Sequence, residues 1–150
     1  MEVAATGGIR VKKYLLDTNI VSELRKTKPH GAVLAWTTVL RYEQVFLSAA
    51  TIGELQVGVE LSRRQDPAKA AEIEAWLEHV VLTIKILGMD VASFREWARL
   101  IQGKPTQVFN DAMLAATARV HGLVLATRNE ADFQHFDVEI FNPFKLTNPR

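Results

Sequence analysis

Short apolar runs alternate with longer amphipathic segments along most of this chain. An apolar run of about four residues bounded by polar residues favours a buried strand, and apolar residues spaced by three and four favour a helix. The five strand candidates are residues 13–16, 45–48, 83–86, 123–126 and 138–141. The clearest helices are 68–80 after the start signal Asp66-Pro67, 90–102, and 111–121 between a candidate N-cap, Asn110, and a candidate C-terminal glycine, Gly122.

This alternation predicts the fold class. Strands joined through helices pair in parallel by right-handed crossovers, and the helices then cover both faces of the sheet. We therefore expect an α/β protein with a short, mostly parallel central sheet of about five strands. Residues 1–12 are expected to form a loose arm and residues 13–150 a single domain.

Composition and charge limit the classes of function. The 150 residues are 48% hydrophobic and 23% charged, which is typical of a globular domain, and no cysteine is present to form a disulfide or a thiolate metal site. The 18 basic and 17 acidic residues leave a net charge of +1, so contact with a polyanion must come from a local patch. The sequence contains neither a secretory signal nor a membrane-spanning run, which predicts a cytoplasmic protein without membrane contact.

Four acidic residues fall where the predicted fold has a single edge. Asp17 directly follows the first strand, Glu54 lies in the first turns of the helix after "VFLSA", Asp111 begins the third helix, and Asp132 follows the fourth strand in "TRNEADF". In open parallel sheets, the carboxyl ends of the strands and the amino ends of the helices meet at the edge that binds ligands. Carboxylates gathered there repel by about 4 kcal/mol per pair at about 4 Å, so a cation is expected. Oxygen ligands without cysteine favour Mg²⁺ or Mn²⁺.

Each acid also has a purely structural interpretation. Asp17 is suitably placed to cap a helix that begins near Asn19, and Asp111 would gain stability from the dipole of its own helix. Asp132 lies in a loop, where aspartate is common. Glu54 is the hardest to explain as a solvated surface residue, because its helical neighbours are small or apolar.

The residues around the acids are candidates for supporting roles. Thr18 and Thr127 are placed to hold the carboxylates through hydroxyl hydrogen bonds, or simply to form turns. Asn19 is placed to contact a bound phosphate or to start the first helix. The basic residue next to this edge is Arg128.

Four segments of the chain resemble the PIN-domain ribonucleases, in particular the VapC and FitB toxins of bacterial toxin–antitoxin modules. The segments are "LLDTNIVSEL", "LSAATIGELQVGVEL", "NDAMLAATARVHGLVLATRNEADF" and "VEIFNPF". The resemblance implies a PIN fold, Mg²⁺- or Mn²⁺-dependent cleavage of RNA, a homodimer, and a VapB- or FitA-like antitoxin that blocks the active site and binds operator DNA. Arg128 would then meet either an RNA phosphate or an antitoxin carboxylate.

The resemblance places Asp17, Glu54 and Asp111 on the three best-defined acidic positions of the family. Many relatives carry a fourth acid two residues after the threonine that matches Thr127, and this chain has Asn129 there. We expect Asp132 to contribute the fourth acid, acting through water, with Asn129 as a hydrogen-bonding neighbour. In this mechanism a metal-activated water attacks the phosphodiester, and Glu54 either binds metal through water or orients the attacking water.

Two other functions are compatible with an acid at the end of the first strand. A haloacid-dehalogenase-type phosphatase uses Mg²⁺ there, but its motif needs a second aspartate where this chain has Asn19. A receiver-like or degenerate PIN module would keep the acids only to hold a structural ion or to dock a partner. A cluster of apolar residues is compatible with either a dimer interface or the core: Trp36, Val39, Leu40, Val45 and Phe46.

Overall fold

Five parallel strands form the centre of the protein, whose computed structural model describes residues 11–146. The order across the sheet is β3-β2-β1-β4-β5, and every neighbouring pair is parallel. The strands are β1 (Tyr14–Leu16), β2 (Val45–Ser48), β3 (Lys85–Leu87), β4 (Val124–Ala126) and β5 (Ile140–Phe141). The predicted α/β class and the parallel five-stranded sheet are therefore confirmed.

Seven α-helices connect and cover these strands in the described part of the chain. They are α1 (Thr18–Arg25), α2 (Gly31–Val39), α3 (Ala49–Arg63), α4 (Pro67–Thr83), α5 (Val91–Leu100), α6 (Phe109–His121) and α7 (Glu130–Phe133). Short 3₁₀ turns lie at Tyr42–Gln44, Thr106–Val108, Gln134–Phe136 and Pro143–Lys145. None of these helices combines the length and the apolar character needed to cross a membrane.

The side chains of β1 show why helices pack on both faces. Successive strand residues point to opposite sides of a sheet, so Leu15 and Leu16 enter different cores. Leu15 packs in a cluster with Leu125 of β4 and residues of α6, whereas Leu16 packs with Ile20 of α1 and Leu47 of β2. All five side chains are almost completely buried.

Two predicted strand boundaries differ from the structure by two residues. The third strand begins at Lys85 instead of residue 83, because α4 continues to Thr83, whose hydroxyl donates to the His79 carbonyl at 2.8 Å. The fifth strand begins at Ile140 instead of residue 138. The start signal of α4 is confirmed, since the Asp66 side chain accepts from the Lys69 amide.

The predicted start of the third helix is wrong. Helix α6 begins at Phe109 after Val108, so Asn110 lies inside the helix and does not cap it. The preceding 3₁₀ turn leads directly into the helix, and Phe109 is held in place by Trp97, whose indole N–H donates to the Phe109 carbonyl at 3.0 Å. The end of the helix is as predicted, because Gly122 adopts the left-handed conformation at φ 66° and ψ 37°.

The apolar cluster around Trp36 divides between core and surface. Trp36 is buried at the end of α2 and packs against Tyr14 and Phe141, with ring centroids 5.0 and 5.2 Å away. Val39, at the end of the same helix, is 74% exposed. Trp36 therefore belongs to the core, whereas Val39 presents apolar surface at the end of α2.

The part of the predicted arm that the structure describes is attached to the sheet. Residues 1–10 lie outside the described range, but Lys12 forms an ion pair with Glu139 at 2.7 Å. The Lys12 carbonyl also accepts a hydrogen bond from the Gln44 side chain.

Candidate active site

The site lies where the chain reverses its direction of travel across the sheet. From the central strand β1, the chain passes to β2 on one side and later to β4 on the other. Such a switch point opens a crevice at the carboxyl ends of the strands, where α/β proteins bind ligands. Asp17 follows β1 there, Thr127 follows β4, and the Asp17 amide donates to the Ala126 carbonyl at 2.9 Å.

The carboxylate of Asp17 is 7% exposed and accepts three hydrogen bonds. One oxygen accepts from the Thr18 amide at 2.7 Å, and the other accepts from the Thr127 hydroxyl at 2.8 Å and the Asn19 amide at 3.0 Å. Asp17 is also the N-cap of α1. The capping interpretation is therefore correct, and the same carboxylate still presents its second oxygen to the groups of the crevice.

Asn19 links the two sides of the switch point. Its amide N–H₂ donates to Asp17 and, at 3.4 Å, to the Thr127 hydroxyl, while its carbonyl accepts from the Arg128 amide at 3.2 Å. The Asn129 amide then donates to the Thr127 hydroxyl at 3.0 Å. These bonds fix the loop after β4 against the start of α1.

Glu54 reaches this group from α3. The residue is exposed, and its carboxylate accepts a hydrogen bond from the Thr18 hydroxyl at 2.9 Å. Both threonines singled out from the sequence thus donate to a carboxylate, Thr18 to Glu54 and Thr127 to Asp17.

Asp111 lies half-buried in the first turn of α6 and carries the largest electrostatic perturbation of the site. Burial, and then the negative charges of Asp17, Asp132 and Glu54, raise the pKa of Asp111 from its usual 3.8 to about 6. Burial also raises the pKa of Asp17, which outweighs the hydrogen bonds from Thr127, Thr18 and Asn19 that lower it. The four acids therefore share one region of negative potential.

These acids share a field without converging on one point. Among residues 11–146, no three acidic, histidine or cysteine side chains stand close enough together to grip an ion. The charges still perturb one another because Coulomb interactions extend over several ångströms in a partly buried site. What identifies a shared site is therefore the electrostatic repulsion between these carboxylates, and not a close approach of three side chains.

Asp132 lies in the short helix α7, which turns the chain back towards the crevice after Asn129. Asp132 is exposed, and its charge raises the pKa of both Asp17 and Asp111. The residue lies inside α7 and not at its start, so it does not cap the turn before Phe133. Asn129 occupies the position before α7, without a side-chain capping bond.

Arg128 is held by a turn that the sequence did not suggest as part of the site. Its guanidinium carbon lies 4.6 Å from the ring centroid of Phe144, which in turn contacts the ring of His30. The Asn142 amide donates to the Arg128 carbonyl and to the Glu130 carboxylate. The Asn-Pro pair at 142–143 signals a turn, but no local pattern indicates that this turn packs against residue 128.

The residues present suit a hard divalent cation. The available donors are carboxylate, hydroxyl and amide oxygens, which Mg²⁺ and Mn²⁺ prefer. Burial and neighbouring negative charge raise the pKa values of Asp17 and Asp111. A bound cation would oppose this effect and favour the ionised carboxylates.

This chain is similar in sequence and in fold to known proteins. The chain is 37% identical over 139 residues to Toxin FitB of Neisseria gonorrhoeae, covering 87% of this chain and 97% of that protein. It is 35% identical over 138 residues to VapC ribonuclease Y4jK of Sinorhizobium fredii, with coverage of 87% and 97%. The crystal structure of FitAcB from Neisseria gonorrhoeae matches with a TM-score of 0.78 at 35% identity, covering 89% of this chain and 99% of the solved one.

The family model for the PIN domain matches residues 14–139. This range begins with β1 and includes Asp17, Glu54, Asp111 and Asp132. The chain therefore belongs to the PIN-domain family.

Proposed function

We propose that this protein is a metal-dependent endoribonuclease and the toxin of a bacterial type II toxin–antitoxin system. The observation that carries this proposal is Asp17, a buried carboxylate at the switch point of a PIN fold, whose charge, together with those of Asp132 and Glu54, raises the pKa of Asp111. The similarity to a toxin and to a VapC ribonuclease supports the choice of RNA as substrate.

Asp17 and Asp111, with Asp132 acting through water, are the residues that would hold Mg²⁺ or Mn²⁺. When bound, such an ion lowers the pKa of a coordinated water and stabilises the charge that develops on the leaving oxygen. Thr127 and Asn19 orient one Asp17 oxygen, because both donate to it. The chain itself then needs no covalent nucleophile.

We assign to Glu54 the role of orienting the attacking water and accepting its proton. Its carboxylate is exposed and held by the Thr18 hydroxyl, so it can accept a proton without breaking a buried ion pair. Binding a cation through water is the other role for this carboxylate. Arg128, at the edge of the same crevice, is the residue that would bind the RNA substrate.

The remaining parts of the proposal concern assembly. The resemblance to VapC and FitB toxins supports a homodimer, an antitoxin partner of the VapB or FitA type, and action in the cytoplasm. We also infer that residues 13–150 form a single PIN domain, which is consistent with the family match over residues 14–139.

Cleavage of RNA by purified variants tests this function. We expect Asp17→Asn and Asp111→Asn each to abolish Mn²⁺-dependent RNA cleavage, while Glu78→Gln, an exposed acid on α4, cleaves at the wild-type rate. Circular dichroism should show that all three variants remain folded. A wild-type rate in either active-site variant would refute the catalytic assignment.

The same preparation separates the alternative functions. A phosphatase would hydrolyse a small phosphomonoester, and a non-catalytic module would bind Mn²⁺ without cutting RNA. We expect RNA cleavage without phosphomonoester hydrolysis.

A further inference from the structure

A shallow, open cleft of about 450 Å³ adjoins the Asp17 network on the side of β4. Its walls are the loop after β4, helix α7 and the turn around Asn142. This volume lies within the range of small-molecule sites, about 300 to 1,000 Å³. The proposed catalytic roles leave most of these wall residues without a function.

Two backbone hydrogen bonds connect the cleft directly to the proposed catalytic residues. The Asn129 amide donates to the Thr127 hydroxyl, which donates to Asp17. The Arg128 amide donates to Asn19, which also donates to Asp17. A group bound in the cleft therefore lies beside the phosphodiester that the acids would cleave.

The charges of the cleft do not favour a phosphate. Lys145 is paired with Glu130 at 2.6 Å, and the remaining charges, Arg128 and Asp132, are of opposite sign. The four charges sum to zero, whereas sites that follow a phosphate backbone are strongly positive. A neutral group is the better occupant.

Arg128 is arranged to stack against a planar group. Its guanidinium lies over Phe144 at 4.6 Å, and the ring of His30 contacts Phe144 at 5.0 Å between centroids. Arg128 is exposed and lines the cleft, and within residues 11–146 it pairs with no carboxylate. Nucleobases stack on guanidinium planes in single-stranded RNA recognition.

Two carboxamides on the same cleft are available for base edges. Across the described range, the side chains of Asn129 and Gln134 make no hydrogen bond to another residue, in contrast to Asn142, whose amide and carbonyl are both engaged. Asparagine and glutamine carboxamides offer a donor and an acceptor together, which matches the edge of a base.

We propose that this cleft binds the nucleobase next to the cleaved phosphodiester, stacked on the Arg128 guanidinium and contacted by Asn129 and Gln134. The inference rests on the proposed ribonuclease function and adds to it a structural source of sequence preference. Phe144 acts as a positioning residue, because it holds the guanidinium plane from the opposite side.

Binding of short RNA by the metal-free full chain tests this assignment. The probes are fluorescent RNA hexanucleotides of each single base and a hexamer of ribose phosphates without bases, measured by anisotropy in EDTA. Arg128→Lys keeps the charge but removes the planar stacking surface. We expect it to weaken the tightest base-bearing hexamer by about fivefold or more and to leave the abasic hexamer within about twofold.

Three further variants sharpen the comparison. Phe144→Leu should weaken the same hexamer as Arg128→Lys, with folding checked by its melting temperature, and Gln134→Ala should reduce the difference among the four bases. Arg95→Lys, an exposed arginine on α5 outside the cleft, should change neither probe. Equal losses on abasic and base-bearing hexamers would make Arg128 a phosphate contact and overturn the proposal.

Other outcomes identify what failed. Unchanged RNA binding in Arg128→Lys together with weaker binding of a hexaglutamate peptide would assign the cleft to an acidic protein segment and overturn the base site. A second result is that the wild type cleaves RNA while Asp17→Asn does not, and yet the wild type binds abasic and base-bearing hexamers equally. That result would overturn the base site alone. A wild-type protein that neither binds nor cleaves any RNA would overturn the ribonuclease function as well.

Discussion

Replacing Asp111 with asparagine should stabilise the metal-free protein, and more so at high pH. Asparagine has nearly the same shape as aspartate but carries no charge. In the native protein, burial and then the charges of Asp17, Asp132 and Glu54 raise the pKa of Asp111 from 3.8 to about 6. Ionisation of Asp111 therefore lowers the unfolding free energy of the wild type, and Asp111→Asn avoids this loss.

The sign and size of the effect follow from this pKa. Because the native pKa lies above the unfolded value, the cost is absent below about pH 4, grows as pH rises towards 6, and is complete above about pH 7. A pKa difference of this size corresponds to about 3 kcal/mol. Asp111 is only half-buried and solvent screens its charge, so we expect Asp111→Asn to gain about 1 to 2 kcal/mol at pH 8.

Urea unfolding in EDTA measures this gain at pH 4.5 and pH 8. Glu78→Gln removes an exposed carboxylate far along the chain from the site and should leave the unfolding free energy within about 0.5 kcal/mol at both pH values. If the unfolding free energy of Asp111→Asn does not exceed that of the wild type at pH 8, the electrostatic explanation is refuted. The same holds if the difference is equal at the two pH values. In the presence of Mn²⁺ the wild type should be more stable than Asp111→Asn, since only the wild type carries the full set of proposed ligands.

Three further predictions concern the fourth ligand, the Asp17 network and the assembly. Asp132→Ala should raise the Mn²⁺ concentration for half-maximal cleavage more than Asn129→Ala does, and a reversed order in that titration would move the ligand to Asn129. Thr127→Val removes the donor to Asp17 and should cost about 1 to 3 kcal/mol in urea unfolding, whereas Thr127→Ser should cost less, because it keeps the hydroxyl. Light scattering at micromolar concentration should give about twice the 16.8 kDa chain mass, and a single 16.8 kDa species would argue against a homodimer.

Local patterns were sufficient to predict most elements of the fold. The apolar run before Asp17, the Asp66-Pro67 start and the glycine at 122 each act through the backbone of a few neighbouring residues. Helix α2 was not predicted, because its segment "GAVLAWTTV" is apolar on more than one side and shows little helical periodicity. The failed cap at Asn110 shows that tertiary contacts, here with Trp97, can extend a helix past a residue that favours its start.

The sequence was sufficient to predict the acidic residues of the candidate site, but not the hydrogen bonds and ring contacts that connect its residues. Alternation of strands and helices places Asp17, Glu54 and Asp111 on one edge in any such sheet. The hydrogen bonds around Asp17 depend on β4 lying next to β1, and alternation alone does not determine the strand order. The stacking of Arg128 on Phe144 was missed for the same reason, since it joins two turns at the ends of neighbouring strands.

The long sequence separation between residues of this site also determines when the site can form during synthesis. The Thr127 hydroxyl bonds to Asp17 across 110 residues, and β1 pairs with β4 only after both strands exist. A nascent chain emerges at about 5 to 20 residues per second, so a chain that has exposed only its first hundred residues has neither β4 nor the Thr127 donor. Translation thus keeps the crevice unassembled until β4 and the loop after it have left the ribosome, so the hydrogen bonds around Asp17 form only late in synthesis.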